Sequence, residues 1–222
     1  MSSERLPTGI EGLDELIEGG LIRGDLHLLA GGPGTGKTIF AANFAHHVAG
    51  ELNERVLYVT LEESAEHLKR NVRALNISFE PLEKAKAIKF VELEALKGRA
   101  LEDSVALLLA GLEEIRAKVL VVDSLTALLA ACETPLELRT FMRSFYKSFK
   151  QRGVTSLMTV SLPPGAPVGP EAYIADSVML LEHWLDGMEF RIRFLILKMR
   201  GTNHSRSYHA VTFAPRMAIS RF

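Results

Sequence analysis

Eight consecutive residues carry the strongest chemical signal in the chain: Gly31-Gly32-Pro33-Gly34-Thr35-Gly36-Lys37-Thr38. They fit Gly-x-x-x-x-Gly-Lys-Ser/Thr, the pattern of a loop that cradles the phosphates of a nucleoside triphosphate. Glycines reach left-handed conformations closed to residues with a Cβ, so successive amide N–H groups can turn toward phosphate oxygens. Lys37 supplies a positive point charge for the β- and γ-phosphates, and the Thr38 hydroxyl is a hard oxygen ligand for Mg2+. Gly32, Pro33, Gly34, Thr35, Gly36, Lys37, Thr38 and Ile39 are the expected nucleotide-binding residues. The competing reading is an ordinary glycine-rich turn, and the flanks argue against it. Leu26–Ala30 reads as a short buried strand and Ile39–Val48, free of Gly and Pro, as a helix. Strand, loop, helix aims the positive end of the helix dipole at the phosphates.

Three further groups suit the same chemistry. Val119–Val122 is an apolar run ending in Asp123, so a strand buried on both faces would hold one carboxylate at its tip, beside Thr38, for a metal-bound water. The same pattern also starts turns and caps helices. Glu62 and Glu63 follow a second apolar segment, Arg55–Thr60, at the same expected sheet edge. A carboxylate there can orient a water for in-line attack, or serve as the acidic first turn of the next helix. Two adjacent acids leave one for each role. Lys198 and Arg200 flank Met199 at the end of an expected strand and so share one side. They are either an exposed basic strand end or cations that stabilise a γ-phosphate, from a neighbouring subunit if in trans.

The elements that must position these residues alternate. Helices are expected over Ser64–Leu75, Leu101–Lys118 and Pro135–Arg152, and strands over Ala87–Val91, Val119–Asp123 and Thr155–Val160. Ser161–Pro170 carries four prolines and reads as a loop at the ligand-binding edge of the sheet. Ser177–Glu182, Glu189–Lys198 and Ser207–Phe213 read as strands joined by short turns. The expected fold is α/β, a mostly parallel sheet flanked by helices and extended by C-terminal antiparallel strands, in a single domain over residues 1–222.

Bulk properties agree with a globular chain: 222 residues, 47% hydrophobic, 24% charged, net charge −1. No global basic field recruits nucleic acid or acidic membrane. The only cysteine, Cys132, excludes an intrachain disulfide and reads as a packing residue. Met1-Ser2-Ser3-Glu4-Arg5 lacks a signal-peptide stretch, and no apolar run is long enough to span a bilayer, so the cytoplasm is the expected location. A single glutamine, Gln151, hints at a thermophilic source.

Nearly end to end, the chain resembles RecA-superfamily ATPases of the KaiC-like branch, the group of the circadian clock ATPase and archaeal Rad recombinase paralogues. The resemblance rests on Leu6–Leu21, on Leu57–Glu63, on Val119–Ser124, on Ile174–Val178 and above all on Leu197-Lys198-Met199-Arg200-Gly201-Thr202-Asn203-His204-Ser205. It implies ATP with Mg2+, Glu62 as the catalytic glutamate with Glu63 assisting, and Lys198 and Arg200 reaching the γ-phosphate of the next subunit. It further implies His204 near that nucleotide's sugar and a homo-oligomer, a hexameric ring or a filament. The chain departs from the clock protein in having one ATPase domain and Ala172-Tyr173 where that protein's second domain carries phospho-accepting Ser and Thr, so autokinase activity is not implied. Nor does a helix-hairpin-helix domain precede the core, as it does in full archaeal recombinases.

Recombinases of this superfamily line single-stranded DNA with loops matching Ala130–Pro135 and Ser161–Ala172, and neither contains Lys or Arg here. Arg139, Arg143 and Lys147, with Lys150 nearby, share one face of a helix whose opposite face carries Leu138, Met142, Phe145 and Phe149. That face is either solvated or a DNA contact, to which Arg206 could add a charge. Two functions follow: an ATPase that modulates recombination or repair through single-stranded DNA or a recombinase, or an ATP-switched protein-interaction module without DNA. An inactive scaffold is disfavoured by the intact Lys37, Thr38, Glu62 and Asp123.

Overall fold

Alternating burial along the strands builds two cores on either side of one sheet. In the strand Val56–Thr60, Val56 and Tyr58 join one core while Leu57 and Val59 join the other. Val119 and Val121 against Leu120 and Val122 repeat the pattern. Continuous apolar runs thus satisfy both faces, each buried Val or Leu contributing about 1.5–3 kcal/mol. The computed structural model describes residues 4–93, 101–163, 165–214 and 216–222. Met1–Ser3, on which the signal-peptide argument partly rests, and Pro164 of the proline-rich loop lie outside the described residues.

In chain order come β1 (Arg5–Leu6), α1 (Leu13–Leu16), β2 (Leu21–Ile22), β3 (Leu26–Gly31), α2 (Lys37–Gly50) and β4 (Val56–Thr60). Next are α3 (Ala65–Arg73), α4 (Glu80–Lys84), β5 (Ile88–Glu92), α5 (Leu101–Ile115), β6 (Val119–Asp123) and α6 (Leu125–Leu129). Then follow α7 (Pro135–Lys150), β7 (Thr155–Ser161), α8 (Glu171–Ile174), β8 (Ser177–Asp186), β9 (Glu189–Met199), β10 (His209–Thr212) and β11 (Ala218–Ser220). β1 and β2 pair alone; the nine-stranded sheet has the order β11-β10-β9-β8-β3-β7-β6-β4-β5. β8, β3, β7, β6, β4 and β5 run parallel, and β9, β10 and β11 extend the sheet antiparallel.

The parallel pairing fixes which residues share an edge. Gly31, Ser161 and Leu181 lie side by side at the C-terminal edge, and Thr60 lies beside Asp123. His27, Ser177 and Met199 lie near the opposite edge, with Lys198 beside Val178. α7 is pinned by a reciprocal cap: Thr134 Oγ1 accepts from Glu137 N, and Glu137 Oε2 accepts from Thr134 N. The helix then buries Phe141, Met142, Phe145 and Phe149.

Candidate functional site

The phosphate-loop residues join β3 to α2 as their spacing requires. Gly34 (φ 74°) and Gly36 (φ 91°) adopt the left-handed region, Gly36 as the N-cap of α2. Gly31 is glycine for a different reason: a Cβ there would lie 2.6 Å from Leu181 O and 2.7 Å from Thr35 Oγ1. Thr35 Oγ1 braces the turn by donating to Gly32 O at 2.8 Å. A Cβ on Gly36 would overlap the ring of half-buried Phe213, just past β10. Sequence reasoning missed Phe213, since nothing local signals a contact across more than 170 residues.

Lys37 curls over its own loop, its Nζ donating to Gly31 O and Gly32 O, each at 2.9 Å. Burial pushes its pKa down, while the carboxylates of Asp123 and Glu62 pull it up. Both carboxylates therefore lie near enough to Lys37 to act on its charge. Asp123, at the tip of β6, accepts from Tyr58 Oη at 3.2 Å on Oδ2 and from Thr159 Oγ1 at 2.5 Å on Oδ1. Each oxygen keeps a lone pair for a further donor or a metal-bound water. Thr38 sits half-buried in the first turn of α2 and Ile39 follows it.

The adjacent glutamates separate. Glu62 is exposed and accepts from Ser124 Oγ at 2.6 Å, which draws it to the residue after Asp123. Glu63 instead meets His67 Nδ1 at 2.6 Å, along α3. The N-terminus of α3 is already served by Ser64 Oγ, which accepts from His67 N, and Glu92 Oε1, which accepts from Ala65 N. Glu62 is thus left free of the helix.

Lys198 and Arg200 lie at the opposite edge, separated from the loop by the length of β3, roughly 17 Å at 3.3 Å per residue. They do not project freely, as the sequence suggested. Lys198 Nζ donates to Ala172 O (2.9 Å) and Ala175 O (2.5 Å) at the end of α8, while Arg200 Nη2 donates to Tyr173 O (3.1 Å). Orphan carbonyls at a helix end attract cations, which is why both fold under α8. Burial and the neighbouring Arg200 lower the Lys198 pKa, against a pull upward from Asp176. His204, in the turn after β9, has Nδ1 2.8 Å from Ser205 O. The chain's own loop and these residues are therefore not brought together.

The donor set fits a Mg2+–triphosphate. The loop offers left-handed glycines, a lysine, and the N-terminus of a 14-residue helix. Among the described residues no cluster of three His, Cys, Asp or Glu could hold a metal alone; Mg2+ held by one carboxylate region, a Thr hydroxyl and phosphates does not need one. A cleft of about 970 Å3 beside the loop is lined by Gly32, Thr35, Leu162, Val168 and His183, among others. On α7, Arg139, Arg143 and Lys147 are exposed, but Lys150 is engaged, 2.9 Å from Asp25 and 3.5 Å from Asp176. Leu138 and Cys132 pack part-buried against the core. Among the described residues no helix is long and apolar enough to cross a membrane.

A family model described as "ATPase: KaiC" matches residues 6–220. The circadian clock oscillator protein KaiC of Parasynechococcus marenigrum (strain WH8102) is 32% identical over 219 residues, covering 93% of this chain and 42% of the relative. That of Prochlorococcus marinus (strain MIT 9313) is also 32% identical, over 93% of this chain and 44% of the relative. The chain thus spans less than half the length of these curated relatives. The crystal structure of a KaiC-like protein from the hyperthermophilic archaeon Pyrococcus horikoshii OT3 superposes with a TM-score of 0.88 at 33% identity, covering 98% of this chain and 99% of that one. The chain belongs to the KaiC family of ATPases.

Proposed function

We propose that this KaiC-family chain is a Mg2+-dependent ATPase that works as a homo-oligomer, the phosphate loop of one copy meeting Lys198 and Arg200 of the next. The observation that carries the reading is the convergence of Lys37, Asp123 and Glu62 at the mouth of the loop. The loop amides and Lys37 would hold the β- and γ-phosphates. Thr38 and, through water, Asp123 would hold Mg2+, which supplies charge neutralisation at the phosphates when bound. Glu62 orients the attacking water and takes its proton, and Ser124 keeps the carboxylate in place. Negative charge developing on the transferred oxygens is met by Lys37 from within and by Lys198 and Arg200 from the neighbour.

The sheet geometry supports action in trans. Lys198 and Arg200 lie at the edge opposite the loop of their own chain, so they serve another copy's nucleotide or none. That is a head-to-tail contact, which closes into a ring or runs on as a filament. His204 lies in the turn after β9 and would approach the neighbour's sugar there. Glu63, held by His67, assists only through charge.

Contact with another protein, switched by ATP, is the output we favour over DNA. Lys150 is tied to Asp25 and Asp176, and the two loops that would line a single strand carry no cation. The lone cysteine supports a reducing, cytoplasmic setting. The test is ATP turnover against protein concentration, with and without single-stranded DNA at one low salt, and light scattering in parallel. Specific activity should rise as oligomers form and ignore DNA. Activity constant through the assembly transition would remove the shared site, and stimulation by DNA that is lost in Arg139→Ala/Arg143→Ala would restore the recombination reading.

A further inference from the structure

Asp176, just before β8, is 4% exposed, and no step of the proposed reaction uses it. Four donors from three parts of the chain, two of them on α7, converge on its carboxylate. Leu26 N (3.1 Å) and Lys150 Nζ (3.5 Å) meet Oδ2, while Tyr146 Oη (3.2 Å) and Arg200 Nη1 (3.4 Å) meet Oδ1. The main chain repeats the link: Arg200 N donates to Asp176 O at 3.0 Å, and Asp176 N to Leu26 O at 2.9 Å.

A buried carboxylate needs a compensating cation. Lys150 is shared between Asp25, at 2.9 Å, and Asp176, at 3.5 Å, whereas the carboxylate that Arg200 meets is Asp176, at 3.4 Å. Lys198 points elsewhere, to the carbonyls closing α8. Arg200 is held at two points, Nη1 on Asp176 and Nη2 on Tyr173 O. A guanidinium has five N–H donors in a rigid fork, so the rest of the fork stays available and keeps one orientation.

We propose that Asp176 is a positioning residue for Arg200: its carboxylate fixes the guanidinium at the sheet edge so that the free N–H groups face the next copy's nucleotide. This rests on the in-trans reading above. Asp176 itself touches no substrate; it acts through Arg200, and the link through Leu26 N ties that orientation to the start of β3.

Asp176→Asn tests it. The isostere can keep a carbonyl oxygen on Leu26 N while turning its NH2 toward Arg200, donor against donor. Turnover should fall about tenfold, as expected for loss of a charge-assisted bond, with KM for ATP unchanged because the loop lies at the other edge. In an Arg200→Ala background the same substitution should cause no further fall. Equal losses in both backgrounds, or a rise in KM in step with the loss of kcat, would mark Asp176 as merely structural and overturn the proposal. Should Arg200→Ala alone leave turnover intact, the in-trans reading fails first and the role of Asp176 falls with it. If Asp176→Asn does not fold, Lys150→Met removes the other cation and leaves the Arg200 bonds in place. Its kcat should stay within about twofold of the unsubstituted chain; a tenfold fall there, with or without Arg200, overturns the proposal equally.

Discussion

Glu62 and Glu63 are chemically identical neighbours, and their partners alone set them apart. Ser124 holds Glu62 beside Asp123, and His67 holds Glu63 along α3. Glu62→Gln should therefore lower kcat by about 10²–10⁴, the usual worth of a general base, whereas Glu63→Gln should cost less than about tenfold. Single-turnover ATP hydrolysis by both variants checks this; equal losses would mean the pair shares the base role. Spacing alone offered both acids without ranking them, because Ser124 lies 62 positions away and meets Glu62 only through the pairing of β4 with β6; it was the family resemblance that put Glu62 first. His27 carries a pH prediction. It is fully buried, its Nε2 3.0 Å from Ile22 O and its Nδ1 2.7 Å from Ser177 Oγ, an arrangement that suits the neutral ring. Burial lowers its folded pKa below the ordinary 6.5. Below pH 6.5 the unfolded chain binds a proton that the native chain refuses, so stability is full above that pH and declines as pH falls toward the folded pKa. The slope from this residue is at most about 1.4 kcal/mol per pH unit. Urea midpoints at pH 7.5 and 5.5 should converge in His27→Gln relative to the unsubstituted chain. An identical drop in both would assign the acid sensitivity to other groups, such as His46 and His209, whose pKa values burial also lowers.

At the scale of elements, the loop and its flanking strand and helix were legible because every requirement is local: apolar run, glycines at fixed offsets, an uninterrupted helix. β1, β2 and β11 were not, since two- and three-residue strands carry no periodicity and exist only through their partners. The short helices α4, α6 and α8 escaped for the same reason. β8 runs four residues past its expected end, to Asp186, because its partner β9 continues the pairing to Glu189. Lys198 and Arg200 were identified, but which edge they occupy relative to the loop depends on β9 running antiparallel to β8. Packing between distant elements also explains why Gly36 cannot change. Its φ of 91° would cost a residue with a Cβ about 1–2 kcal/mol, and the Cβ would strike the Phe213 ring delivered from beyond β10. Gly36→Ala should weaken ATP binding at least about tenfold and lower Tm by several degrees, read by nucleotide titration and thermal melting. Wild-type affinity would show that the loop tolerates a side chain and that its N-terminal turn does not hold the phosphate.

For the whole molecule, strand direction decides which candidate residues share an edge. A sheet six parallel strands wide puts Lys37, Asp123 and Glu62 at one edge, and one antiparallel return through β9 carries Lys198 and Arg200 to the other. The two halves are separated by the length of a strand, a distance no rotamer spans, so a single copy holds a loop without the Lys198–Arg200 pair and that pair without a loop. On the proposed in-trans reading, loss of function is complementable. Lys37→Ala copies retain Arg200 but lack the lysine for the phosphates; Arg200→Ala copies retain the loop but lack the finger. Each alone should turn over ATP at least about a hundredfold slower than the unsubstituted chain. Mixed in equal amounts and allowed to exchange, head-to-tail neighbours would place an intact loop against an intact finger at about one interface in four, if exchange is random. Activity should recover to roughly a quarter of the unsubstituted level and stay there when protein is diluted within the assembled range. A mixture no more active than its parts, with exchange verified by labelled subunits, would rule out the shared site and return Lys198 and Arg200 to the role of cations closing α8.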